Sequence, residues 1–117
     1  MERSKYFLEV EMKCQHCGAS NWNQEFMDWL DVVRHECGFP FIITSGYRCP
    51  DHPIEKKKSK PGAHTTGKAV DILSKGAEAI KIIEMASKHG CKRIGVSKNT
   101  FIHLDRDSTK PDALWTY

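Results

Sequence analysis

Three side chains in this chain have the types and spacing to hold a metal ion: His64, Asp71 and His103. Two of them lie in Gly62-Ala63-His64-Thr65-Thr66-Gly67-Lys68-Ala69-Val70-Asp71-Ile72, and the third lies in Phe101-Ile102-His103-Leu104-Asp105. Two imidazoles and one carboxylate fill three positions of a tetrahedral zinc and leave the fourth open for water, the arrangement of a catalytic rather than a structural site. Such a zinc brings the pKa of its water to about 7 and polarises a carbonyl, so the chemistry is hydrolysis. The competing reading takes the two histidines as unrelated polar residues and Asp71 as a turn carboxylate.

Three ligands from distant positions need elements that bring them together. Ser20 or Asn21 can cap a helix running to about Cys37, with Gly38 as its stop. Trp22, Phe26, Trp29, Leu30, Val33 and Cys37 recur at spacings of three and four and make one apolar face. A strand is expected over Phe41-Ile42-Ile43-Thr44. An irregular stretch from Ser45 to Thr66 follows, with three of the five prolines and the run Lys56-Lys57-Lys58-Ser59-Lys60. A loop of that length in a small domain is usually functional or disordered. Ala69 to Leu73 reads as a strand. Ser74 can cap a second helix to about His89, with Ala79, Ile80, Ile83 and Ala86 inward and Gly90 ending it. Arg93 to Val96 and Phe101 to Asp105 read as strands joined by the polar turn Ser97-Lys98-Asn99.

Side chains alternate across a strand. Val70 and Ile72 therefore share one face, and so do Ile102 and Leu104, while Asp71 and His103 project from the other. If the two strands are neighbours packed under the helices, Asp71 and His103 emerge together and His64 arrives from the preceding loop, with Gly67 letting that loop turn tightly. Helices and strands alternate irregularly, so the class is α+β. The expectation is one domain over residues 1–117, with a central, mostly antiparallel sheet, helices on one face and a zinc cleft on the other.

At 117 residues the chain suits a single core. A net charge of +3 is too small to argue for nucleic acid or any other polyanion. No apolar run approaches the ~20 residues of a membrane span, and the first residues lack the apolar stretch of a signal peptide. Synthesis and folding in the cytoplasm, as a monomer, are expected. Five cysteines, an odd number without a signal peptide, argue for reduced thiols rather than a disulfide framework.

Three blocks in order, Ser45-Gly46-Tyr47-Arg48-Cys49-Pro50, then His64-x-x-Gly67-x-Ala69-x-Asp71, then His103-Leu104-Asp105, give the chain a resemblance to the M15 zinc peptidases. That family includes D-alanyl-D-alanine carboxypeptidases, phage endolysins that cut L-alanyl-D-glutamate bonds, and the related amino-terminal domain of hedgehog proteins. The resemblance spans about Phe7 to Trp115. It implies Zn2+ as cofactor, His64, Asp71 and His103 as ligands, and Arg48 as the group that binds substrate or stabilises the charged intermediate. It also implies the peptidoglycan stem peptide as substrate, with a site of action at the cell wall if the protein is phage-derived.

Two positions depart from the family pattern. Gly62 stands where many members carry Ser. Thr100 stands three residues before the last His, where well-described members carry a carboxylate as general base. Asp105, ~7 Å along the same strand face as His103, is the nearest replacement, either as base or as the group that orients His103 or Arg48 from behind. His52 and Asp51 are weaker candidates.

Cys14-Gln15-His16-Cys17-Gly18 has the spacing of half a structural zinc site, which Cys37, Cys49 or Cys91 can complete; packed reduced cysteines are the alternative. The lysine run reads as a solvated loop beside the site. Trp115 and Tyr117 either line a substrate groove or anchor the C-terminus. The leading expectation is a zinc peptidase of peptidoglycan stem peptides. Its rivals are a zinc-bearing binding module that does not catalyse and a small basic nucleic-acid binder.

Overall fold

The large apolar residues of the first long helix land on one side, with Val32 alone turned outward. In the computed structural model, which describes residues 4–19, 23–49, 52–57, 62–98 and 100–117, a short helix α1 (Glu9–Met12) precedes α2 (Gln24–Cys37). Asn23 caps α2 by accepting the Phe26 N–H at 2.9 Å, and Gly38 closes it in the left-handed region at φ 79°, where a side chain would be strained. The expected caps Ser20 and Asn21, and Trp22 with them, lie outside the described residues. Phe26, Met27, Trp29, Leu30 and Val33 are buried, and the Trp29 Nε1 donates to the His89 carbonyl at 2.8 Å.

Five strands form one sheet: β1 (Ile42–Ser45), β2 (Ala69–Leu73), β3 (Arg93–Val96), β4 (Phe101–Asp105) and β5 (Ala113–Thr116), in the order β1-β2-β4-β3-β5. Every pair is antiparallel except β3 and β5. The fold is therefore α+β with a mostly antiparallel sheet. Val70, Ile72, Ile102 and Leu104 are at most 1% exposed and join the residues of α2 in one core. Asp71 and His103 stand directly opposite each other on β2 and β4, so alternation delivers both to the face away from that core.

The second long helix, α4 (Gly76–Lys88), differs from expectation in its start and in its phase. Lys75, not Ser74, is the N-cap residue, and the Ser74 hydroxyl is buried without a hydrogen bond. Ile82, Met85 and Ala86 face the core, whereas Ile80 is 69% exposed. Residues two apart sit about 200° apart around a helix, so Ile80 and Ile82 cannot both point inward; α4 turns Ile82 toward α2 and β4. Strand β1 is shifted by one residue from the expected Phe41 to Thr44, and Phe41 packs in the core instead. Strand β5 was not expected from the sequence.

The long stretch between β1 and β2 is partly ordered into a short helix α3 (Pro53–Lys56) and a 3-10 turn (Ala63–Thr66). His52 caps α3, its Nδ1 accepting the Ile54 N–H at 3.1 Å. Among the described residues, no helix is long and apolar enough to cross a membrane.

Candidate metal centre

His64 sits in the 3-10 turn, which Thr65 and Thr66 brace by donating their hydroxyls to the carbonyls of Gly62 and Ala63 at 2.7 and 2.6 Å. Gly67 then takes φ 73° and directs the chain into β2. The His64 Nδ1 lies 2.7 Å from the Gly46 carbonyl. A ring nitrogen facing a carbonyl must carry the proton, so Nε2 presents its lone pair to the cleft. Gly46 is required where it stands, because a Cβ there would lie 2.8 Å from the Met12 backbone.

The three proposed ligands converge. His64 Nε2 is 3.3 Å and His103 Nδ1 is 2.9 Å from Asp71 Oδ1, and one donor atom from each residue lies within 4.8 Å of the others. All three residues are buried. Burial pushes the Asp71 carboxyl up, but hydrogen bonds from His103 and then His64 outweigh it and hold the group well below the usual carboxylate range. Two imidazoles and an ionised carboxylate suit zinc. Each ligand is also anchored through an atom turned away from the shared point: His64 by Gly46, Asp71 by Arg48 and His103 by Asp105.

Arg48 lies at the rim. Its Nη2 is 3.3 Å from Asp71 Oδ2, its Nη1 is 3.0 Å from Glu55 Oε2, and its Nε donates to Ser45 Oγ at 3.0 Å. Glu55, on α3, is 3% exposed and also accepts the Gly62 N–H at 2.7 Å. It ties the arginine loop to the turn that bears His64. Sequence reasoning missed Glu55, since an acidic residue in a lysine-rich loop carries no pattern that marks it as buried.

Asp105 is placed behind His103. It is fully buried and takes His103 Nε2 on Oδ2 at 2.7 Å, while Oδ1 accepts from Arg93 Nε at 2.7 Å and from the Asp107 N–H at 3.1 Å. Burial opposes its charge, yet the His103 hydrogen bond and then the Asp107 amide draw its pKa down. For His103 the same two carboxylates act the other way. Burial favours the neutral ring, but hydrogen bonds to Asp105 and Asp71 raise its pKa.

Trp115 on β5 completes the wall. Its ring centroid is 5.2 Å from that of His103, and the Arg93 guanidinium lies 5.1 Å over it. The indole lies across Gly95, its partner on β3, where a Cβ would meet it at 2.6 Å. Trp115 and Tyr117 line one side of a cleft of about 500 Å³, whose lining includes Arg48 and all three ligands.

The remaining candidates lie elsewhere. Thr100 is exposed, bonds Ser97 through its hydroxyl and does not line the cleft. His52 caps α3, and Asp51 is outside the described residues, as are Lys58, Ser59 and Lys60. Of the three cysteines considered as completing Cys14 and Cys17, Cys49 is the one brought to them.

No curated protein gives a significant match to the chain. The family model described as Peptidase M15 matches residues 5–105. That span holds the arginine loop, the turn and both ligand-bearing strands in the order the motifs require, so the chain belongs to the M15 peptidase family.

Proposed function

We propose that the protein is a zinc-dependent peptidase that hydrolyses bonds in peptidoglycan stem peptides, of the D-Ala-D-Ala carboxypeptidase or L-Ala-D-Glu endopeptidase type. The observation that carries this reading is the convergence of His64, Asp71 and His103, with His64 Nε2 and His103 Nδ1 at 3.3 and 2.9 Å from Asp71 Oδ1, in a cleft shared with Arg48. Zinc bound there supplies a water acidic enough to ionise near neutral pH and polarises the scissile carbonyl.

The chain's own residues do the rest. Gly46 fixes the His64 tautomer, and Asp105 holds the proton on His103 Nε2, so both rings keep their ligating nitrogens aimed at one point. Arg48 supplies positive charge that stabilises a developing oxyanion or binds a substrate carboxylate. Both proposed substrates carry such a carboxylate one carbon from the scissile nitrogen: the C-terminal one in D-Ala-D-Ala, and the α-carboxylate of a D-Glu linked onward through its side chain. Trp115 and Tyr117 offer an apolar wall for the alanine methyl groups.

A second reading is favoured by one observation. The usual base position is Thr100, away from the cleft, and Asp105 is committed to His103 and Arg93. A zinc-bearing module that binds wall peptide without cutting it has no need of a base. Digestion of purified peptidoglycan with and without chelator, followed by mass spectrometry, separates the two. Chelator-sensitive release of D-alanine, or of fragments with a new D-glutamate N-terminus, supports the peptidase. Retention on the wall with no new termini supports the binding module.

A further inference from the structure

We propose a second metal site, structural in kind, formed by Cys14, Cys17, Cys49 and His16 and closed to substrate. One sulfur from each of the three cysteines lies within 4.8 Å of the others, and His16 Nδ1 is 3.5 Å from Cys49 Sγ. On one tetrahedral zinc at ordinary bond lengths, nitrogen and sulfur sit about 3.6 Å apart and two sulfurs about 3.8 Å apart. The cluster therefore needs only a small contraction to close on an ion. Three sulfurs and one imidazole make a complete structural set, in contrast to the open set at His64, Asp71 and His103.

The local backbone is shaped for this use. Cys14 and Cys17 bracket a tight turn in which the Gly18 N–H donates to the Cys14 carbonyl at 2.8 Å and Gly18 takes φ 77°. Cys14 is fully buried, yet its sulfur accepts the Cys49 N–H at 3.3 Å. A sulfur that accepts a backbone N–H is favoured as a thiolate, and the thiolate is the form that ligates metal. Cys14, His16 and Cys17 are distant in sequence from His64, Asp71 and His103, but the site is linked to them through the chain. Cys49 follows Arg48 directly. The Tyr47 N–H donates to the Met12 carbonyl at 2.9 Å, and Gly46, pressed against the Met12 backbone, orients His64. A metal on the cysteines would clamp the leading segment to the strip of backbone that places Arg48 and His64.

The inference is independent of the peptidase reading, and metal counting on the full chain tests it. Purified reduced protein should carry two zinc ions per chain. The double variant His64→Ala, Asp71→Ala should keep one, and cobalt substituted into that variant should show the intense thiolate-to-cobalt charge-transfer bands. Cys17→Ser with Cys49→Ser should lose the sulfur-bound equivalent and those bands. His16→Ala should alter the cobalt spectrum, while His52→Ala should leave it unchanged. Wild-type protein loaded with cobalt but lacking charge-transfer bands overturns the proposal, and so does a metal content that falls to zero in the His64, Asp71 variant. The wild-type spectrum decides the matter even if a cysteine variant fails to fold. A spectrum insensitive to His16→Ala overturns the assignment of the fourth ligand.

Discussion

Asp105 and Arg48 are the residues whose roles the geometry separates most clearly. Asp105 meets the far nitrogen of His103 at 2.7 Å and is also held by Arg93, and we propose that it positions the ring rather than accepting a proton from water in the cleft. Asp105→Asn retains the volume and a carbonyl acceptor but loses the charge that holds the ring. It should weaken metal binding about 10–100-fold, read by competition with a chromophoric chelator. A general base would behave differently: metal affinity would stay intact while kcat fell and the acid limb of its pH profile disappeared. Arg48→Ala, which also removes the anchor on Asp71, should weaken metal binding and, at saturating zinc, still lower kcat/KM by about 10²–10³-fold, the usual cost of one oxyanion donor, measured on a stem-peptide substrate with metal quantified in the same sample. The convergence of Asp71 and His103 was legible in the sequence because strand alternation is a hard rule: once Val70 and Ile72 are inside, Asp71 is on the other face. Glu55 and Gly46 were not, because their partners come from loop folding and Gly46 is needed only where Met12 crosses it.

Among the elements, the edge strand β5 is the one that the sequence hid and the site needs. Ala113-Leu114-Trp115-Thr116 is only four residues long, follows Pro111 and lacks the apolar alternation of a two-sided strand, so it reads equally well as a tail. In the structure it runs parallel to β3 and lays Trp115 across Gly95, between Arg93 and His103. The phase of α4 was misjudged for a related reason. Spacings of three and four fit Ala79, Ile80, Ile83, Ala86 as well as Ala79, Ile82, Ile83, Ala86, and only packing against α2 and β4 selects the second. The same packing logic gives a prediction for Gly95. A methyl group there would lie 2.6 Å from the indole Nε1, so Gly95→Ala must displace Trp115 or bend β3. The cost should be about 1–3 kcal/mol, as for other overpacked sites, measured by urea denaturation. A changed Trp115 environment should appear in the fluorescence of the folded protein. Unchanged stability together with an unchanged spectrum would show that the indole does not rest on β3.

For the molecule as a whole, metal, protons and folding act on the same buried residues, and the signs of their effects are fixed. In the metal-free protein the raised pKa of His103 contributes stability that is fully present below its ordinary 6.5 and is lost as pH rises through its higher folded value. Asp71 and Asp105 are depressed, so their contributions are present above the ordinary 3.8 and lost as pH falls below it. These groups therefore favour the apo fold between about pH 4 and 6.5 and weaken it on either side. Metal binding runs against the upper part of that trend. An ion held by His103 Nδ1 must displace the proton that this nitrogen shares with Asp71, so affinity rises with pH until the ring has lost that proton. The stabilisation from bound metal is RT ln(1 + [M]/Kd), about 2.7 kcal/mol when free metal stands at 100 times Kd. Chelator should thus lower the Tm little in mildly acidic buffer and much more above neutrality, with zinc-loaded protein gaining stability over the range where apo protein loses it. Thermal melts with and without chelator across a pH series give both curves. If the gap between them did not widen with pH, the His103 proton and the metal would not be competing for Nδ1, and His103 would have to be removed from the ligand set.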